Sequence, residues 1–314
     1  MRILVTGAAG FIGSHLCERL LQIKDHHVIG VDTLMNNSKI KQRNLGTLLK
    51  NPRFHFHNVH LLNTNLSPLL KDIDVVYHMS GVPGVRSSWG SDFDQYVASN
   101  ILVTHKLLEA CRELPLKKFI YISTSSVYGE KKGKVSENAL PEPLSPNGVS
   151  KLSGENLCRV YQENEGIPIV ILRYFSVYGP RQYPDMAFHR LIHHILQRKP
   201  IQIYGDGKQT RDFTYVGDCV EGTLSVLYTN KVIGETINIG GTERASILEV
   251  TNMIKKILNA KIQINFIEQP KGEPKHTWAD LSKARSLLNY QPIISLKSGL
   301  EKEINDLKLF YKEG

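Results

Sequence analysis

Cysteine is scarce in this 314-residue chain. The four that occur, Cys17, Cys111, Cys158 and Cys219, are scattered and form no CxxC pair. Their spacing gives no support to metal ligation, so no metal is expected, and they read as buried reduced thiols. No stretch approaches the ~20 apolar residues of a membrane-spanning helix, so no membrane partner is expected. No long basic run, and no interleaving of basic with aromatic residues, accompanies the net charge of +9. Nucleic acid is therefore not expected as a partner, and most of the charge reads as a generally basic surface. A few basic residues suit an anionic small substrate such as a sugar diphosphate. Internal repeats and low-complexity segments are missing too. The opening MRILVTGAAG enters a strand directly and leaves no room for a secretory leader, which predicts a cytoplasmic location.

What is present is an alternation of strand and helix. Apolar runs at Ile3–Thr6, Val28–Asp32, Phe54–Asn58, Val75–His78, Phe119–Ser123 and Ile169–Arg173 read as buried parallel strands. Helical patterns separate them, as at Phe11–Leu21, Tyr96–Arg112 and Val149–Asn164. This predicts an α/β protein, a Rossmann-type doubly wound parallel sheet over residues 1–178. After Tyr178 the rhythm changes to a turn-rich loop at 179–185. Further elements follow: helices at Ala187–Gln197 and Ile247–Leu258, and strands at Ile201–Tyr204 and Ile262–Phe266. Residues 179–314 read mainly as a smaller C-terminal substrate-binding lobe. The helix near Val216–Tyr228 is a candidate to return to the sheet.

The first expected strand runs into Gly7-Ala8-Ala9-Gly10-Phe11-Ile12-Gly13 and then into a helix. Gly7 permits a sharp turn, Gly10 lets backbone approach a pyrophosphate, and Gly13 allows the helix to pack close to the strand. Backbone N–H groups and the helix N-terminus then face the anion. Asp32 ends the second strand about twenty residues on, where a carboxylate meets the adenosine ribose hydroxyls. It would repel a 2′-phosphate, so NAD is the expected cofactor. Phe11, Ile12, Asn58 and Val59 complete the set expected around it.

The phrases VTGAAGFIGSHL, GVPGVRSSW, ISTSSVYGE, SPNGVSKLSGE, RYFSVYGPRQ, YGDGKQTRDFTYVGD and HTWADLSKA occur in order along nearly the whole chain. As a set they resemble the extended short-chain dehydrogenase/reductase family, in particular its bacterial UDP-sugar 4-epimerases. The resemblance implies an NAD-dependent isomerase acting on a UDP-sugar. In that chemistry a tyrosine takes the proton of the sugar 4-OH while C4 hydride moves to NAD. A lysine four residues on lowers the tyrosine pKa and binds the nicotinamide ribose of the cofactor, and a Ser or Thr orients the hydroxyl. The transient 4-keto sugar then rotates and is reduced on its other face.

Carried over residue by residue, the Ser/Thr position is Thr124 and the lysine is Lys151. The tyrosine position holds Asn147. An amide does not titrate in the useful range, so the usual proton relay is broken. An inactivating change, a displaced base and a non-catalytic binder all accommodate that residue. Sugar 4,6-dehydratases of the family carry Asp-Glu after the threonine. Here Ser125 and Ser126 follow it, which favours epimerisation, although an atypical elimination through a residue such as Glu130 stays open.

For the substrate, the resemblance implies Arg211 on the diphosphate, where a planar guanidinium can bond phosphate oxygens in pairs. Arg86, Thr124 and Ser176 join it. In place of a further family arginine the chain offers only Lys271. Thr277 matches a gatekeeper position whose small size admits N-acetylhexosamines without requiring them, so a UDP-hexose or a UDP-N-acetylhexosamine is the expected substrate. The stretch Pro184-Asp185-Met186-Ala187 resembles uronate epimerases, so the sugar stays open. Relatives commonly pair the helices corresponding to Tyr96–Arg112 and Val149–Asn164, and a homodimer is expected here. Two alternatives remain beside the epimerase: a nucleotide-sugar dehydratase or lyase with an unusual acid/base, and a non-catalytic NAD or nucleotide-sugar binder.

Overall fold

Alternate residues of each central strand point to opposite faces, and both faces are apolar. Ile3 and Val5 pack into one core cluster while Leu4 packs into another, and Val75 and Tyr77 are divided from Val76 in the same way. Such strands need helices on both sides, as parallel sheets do. The computed structural model, which describes residues 1–34 and 38–312, meets that requirement. Its centre is a seven-stranded sheet in the order β10-β6-β5-β4-β1-β2-β3, with every pairing parallel. The strands are β1 (Arg2–Thr6), β2 (His27–Asp32), β3 (Phe54–Asn58), β4 (Val75–His78), β5 (Lys118–Thr124), β6 (Ile169–Tyr174) and β10 (Thr236–Ile239). The order reverses direction between β1 and β4. In open α/β sheets a ligand crevice forms at that switch point, beyond the carboxyl ends of the strands.

The six strands expected from sequence lie within one residue of their observed ends. The seventh, β10, was not anticipated. Four residues between turns carry no usable periodicity, and pairing with β6 comes only from tertiary contact. The first helix, Phe11–Leu21, follows the glycine turn as expected, and the helix Val216–Ser225 packs against it. The pattern read as one helix at Tyr96–Arg112 is composite. It runs as α-helix over Phe93–Tyr96, π-helix over Val97–Leu102 and α-helix again over Val103–Cys111. All four cysteines are free and buried.

Beyond Tyr178, a three-stranded sheet places β9 (Thr210–Tyr215) between β7 (Val177–Tyr178) and β11 (Glu243–Ser246). A second small sheet pairs β8 (Ile201–Tyr204) with β12 (Ile264–Ile267), the latter displaced from the expected Ile262–Phe266. The helices Ala187–Leu196, Ile247–Ile257 and Leu296–Phe310 close a separate core around Phe188, Ile192, Ile254 and Leu300. Among the described residues, no helix is long and apolar enough to cross a membrane.

Candidate active site

The turn after β1 is shaped by glycine at positions where a side chain does not fit. Gly7 adopts a positive φ of 73°, and a Cβ at Gly13 would lie 2.1 Å from the Gly7 carbonyl oxygen. The first helix therefore starts hard against the turn. Gly10 caps it, and no side chain of the cap residue takes a first-turn amide. This cradle fits the diphosphate of a dinucleotide. Asp32, at the end of β2, is held beside it. Its carboxylate accepts from the amides of Ala9 at 3.0 Å and Thr33 at 2.7 Å, and pairs with Lys41 at 2.9 Å. Asn58 stands in register with Asp32 on β3 and accepts from the Leu34 amide, while the Val59 amide donates to the Asp32 carbonyl. The residues expected at the adenosine end are thus neighbours.

One side chain in this cradle escaped the sequence reading. The phenol oxygen of Tyr183 lies 3.5 Å from where a Cβ of Gly10 would stand, and the Phe11 amide faces it. Tyr183 belongs to the 179–186 loop, and that loop is anchored to its surroundings. The Arg181 guanidinium bonds Glu18 and its amide donates to Asp306. A loop tyrosine carries no sequence signal for such a position.

At the other end of the crevice the helix Pro146–Glu165 brings the expected catalytic positions to the end of β5. Ser145 caps it by accepting from the Gly148 amide. The helix approaches the sheet closely. A Cβ at Gly148 would meet the Ser126 carbonyl oxygen at 2.6 Å, and one at Gly154 would meet the Tyr121 hydroxyl at 2.0 Å. A buried ion pair holds this register. Arg173 of β6 donates twice to Glu155, which also accepts from Ser123 at 2.6 Å. Removing one partner of such a pair costs ~3–5 kcal/mol, because it strands a buried charge. Glu155 was not singled out from sequence, since an acidic residue on a helix reads as solvated.

Thr124 caps the turn that follows β5 by accepting from the Ser126 amide, and its hydroxyl donates to the Ser126 hydroxyl at 3.3 Å. Asn147 is buried, and its Oδ1 has no hydrogen-bond partner among the described residues. Lys151 lies one turn later on the same helix. Its Nζ sits over the Tyr121 ring, 4.3 Å from the centroid. Burial pushes its pKa down to about 8, opposed by Cys158 and Glu155. Asn100, within the π-turn, was missed as well. Its amide bonds both polar groups of the Val82 backbone and the Ser150 hydroxyl, tying the 80–86 loop to the helix Pro146–Glu165. An asparagine inside an apolar helical run was the available signal.

The expected substrate residues divide into two groups. Arg86 and Arg211 are brought together by Glu273, at 2.6 Å and 3.4 Å, and Arg86 stacks over the Tyr204 ring. Thr277 is buried beside them and accepts from the Asp212 amide. Ser176, between β6 and β7, accepts the Thr214 amide through its carbonyl. Lys271, by contrast, is exposed and makes no hydrogen bond among the described residues. The Glu130 carboxylate accepts from the Lys275 amide. No cluster of three or more potential metal ligands occurs among the described residues.

Comparison with known proteins agrees with this arrangement. Residues 3–240 match the model of the NAD dependent epimerase/dehydratase family. An uncharacterized UDP-glucose epimerase, YtcB, of Bacillus subtilis is 56% identical over 99% of both chains. A UDP-glucuronate 4-epimerase of Thermodesulfobacterium geofontis is 37% identical, over 96% of this chain and 94% of that one. The crystal structure of UDP-glucuronic acid 4-epimerase from Bacillus cereus, in complex with UDP-glucuronic acid and NAD, matches with a TM-score of 0.98. The two are 59% identical, over 99% of this chain and 100% of that one. With its glycine cradle, its Asp32 and its parallel sheet, the chain belongs to the NAD-dependent epimerase/dehydratase family.

Proposed function

We propose that this protein is an NAD-dependent UDP-sugar 4-epimerase whose substrate is a UDP-hexuronate, with Asn147 in the position of the family's tyrosine. The observation that carries this reading is the pairing of an intact cofactor cradle with a hydroxyl-rich end of β5 beside Asn147 and Lys151. NAD would supply a reversible hydride acceptor there. Gly7, Gly10, Phe11, Ile12 and Gly13 would hold its diphosphate, Asp32, Asn58 and Val59 its adenosine half, and Lys151 its nicotinamide ribose. Arg86 and Arg211 would receive the substrate diphosphate in place of Glu273, with Thr277 beside them. Lys271 is assigned no more than a peripheral contact. Thr124, Ser125, Ser126 and Ser176 offer the hydroxyl donors that a C6 carboxylate calls for.

Residues 179–314 would act mainly as the substrate lobe, working from a cytoplasmic location. A dehydratase is less well supported, because Ser125 and Ser126 carry no carboxyl group and Glu130 is engaged by the Lys275 amide.

The test is conversion of UDP-glucuronate followed by NMR, with the natural protein and Asn147→Tyr. A tyrosine four residues before Lys151 restores the family's own acid/base, worth ~10²–10⁴-fold over a site without one, so that variant should convert UDP-glucuronate. A product lighter by water would select the dehydratase. Tight binding with no turnover by either form would select the binding protein.

A further inference from the structure

The missing phenol raises the question of which group takes the proton. The other titratable groups near this end of the crevice are engaged. The Tyr121 hydroxyl bonds the Lys151 carbonyl, the Tyr128 hydroxyl bonds Asn238 at 2.7 Å, and the Tyr96 hydroxyl bonds Ser87 and two carbonyls. Glu155 is saturated by Arg173, Arg159 and Ser123. His78 is held between Thr6 and Thr104 and kept neutral by burial, which pushes its pKa down to about 3. Tyr183 faces the diphosphate end of the cradle.

Two polar groups are left over, and they share one helix face one turn apart. They are the Oδ1 of Asn147, buried without a partner among the described residues, and the Nζ of Lys151, which sits over the Tyr121 ring. Side chains at i and i+4 on a helix are neighbours. Gly81, in the loop after β4, brings backbone to the same spot, since its Cβ position lies 3.9 Å from the Lys151 Nζ.

Resting on the epimerase reading, we infer that the ε-amine of Lys151 is itself the general acid/base of this protein, with Asn147 as its positioning residue. The sugar O4–H bond breaks and an N–H bond forms on Lys151, while the electron pair of the C4–H bond leaves as hydride to the bound nicotinamide. In the second half both are returned, and the lysine ends as the amine. The Asn147 Oδ1 accepts from the ammonium that forms and holds it toward the hydroxyl. A lysine desolvated by burial titrates low enough for this task. The charged and titratable groups around it are Glu155 and Cys158 on its own helix, Tyr121 on β5 and His78 on β4. Glu155 and Cys158 raise its pKa, burial outweighs them, and the result is about 8.

The sign follows from the base form. Below about 8 the amine fraction falls tenfold per pH unit, so the rate of the natural protein should rise tenfold per unit toward pH 8 and level off above it. Lys151→Arg keeps the positive charge but cannot deprotonate in this range, and it should lose at least about a hundredfold in rate. Lys151→Met should lose as much. A second readout is independent of turnover. In protein labelled with ¹³C at lysine Cε, one resonance should titrate near pH 8 and vanish in Lys151→Arg.

A natural protein that is inactive from pH 6 to 10 while Asn147→Tyr converts UDP-glucuronate would overturn the inference and leave the epimerase reading intact. So would a rate that Lys151→Arg preserves, or no lysine titrating below pH 9. Failure of both the natural protein and Asn147→Tyr to convert any UDP-sugar would remove both readings.

Discussion

The Glu273 carboxylate pairs with two arginines, and this sets how the substrate must enter. Arg211 is largely buried, donates to Glu273 at 3.4 Å, and has its pKa lowered by desolvation despite that neighbour. A diphosphate would displace Glu273 and supply the stronger anionic partner. A hydrogen bond to a charged group is worth ~1.5–3 kcal/mol. Arg211→Ala should therefore weaken UDP binding by roughly ten- to a hundredfold while leaving NADH affinity unchanged. Calorimetry with UDP and with NADH separates the two, and an unaltered UDP affinity would assign Arg211 another role. At this scale the sequence was a fair guide where a residue's type dictates its task. Gly7 and Gly13 are examples, because few other residues fit a positive φ or a 2.1 Å approach. It was a poor guide to Glu273 and Glu155, whose partners lie far along the chain or on a neighbouring strand.

Between elements, the contact of most consequence joins the 179–186 loop to the first helix. Tyr183 places a phenol where the helix N-terminus would otherwise meet only the cofactor diphosphate. A diphosphate that takes the Phe11 amide would replace the phenol as its partner. Tyr183→Ala should then tighten NADH binding. The gain should be about two- to tenfold, the worth of one net hydrogen bond at ~0.5–1.5 kcal/mol. Fluorescence titration of the cofactor-free protein measures it. Weaker binding in the variant would mean that the phenol grips the cofactor. The same loop passes to helix Leu296–Phe310 through Arg181 and Asp306, and Asp306 in turn pairs with Arg43 of helix Ser38–Leu45 at 2.5 Å. Loop, cofactor side and C-terminal helix are thereby linked, although the turn residues at 179–185 by themselves indicated only a loop.

At the scale of the whole molecule, one outer face is more apolar than a solvated surface needs to be. Leu102, Val149 and Val160 are exposed on the composite helix and the helix Pro146–Glu165, the two expected to pair between copies. Val149, Ser153, Asn156 and Val160 follow helical spacing along one side. Light scattering should give the mass of a dimer at micromolar concentration, and Val160→Glu should shift it toward the monomer. A monomeric natural protein would dismiss the pairing. What the sequence by itself determined was the alternation of β1 to β6 with helices, the glycine turn and the presence of Asn147 four residues before Lys151. These are local features, written in periodicity, backbone freedom and side-chain chemistry over a few residues. Only the tertiary structure decided that β10 joins the sheet, that Asn100 and Glu155 fix the helix Pro146–Glu165, and that Arg86 meets Glu273 across 187 residues. Those depend on long-range packing, and a short strand or a single charged residue carries no trace of the partner it will find.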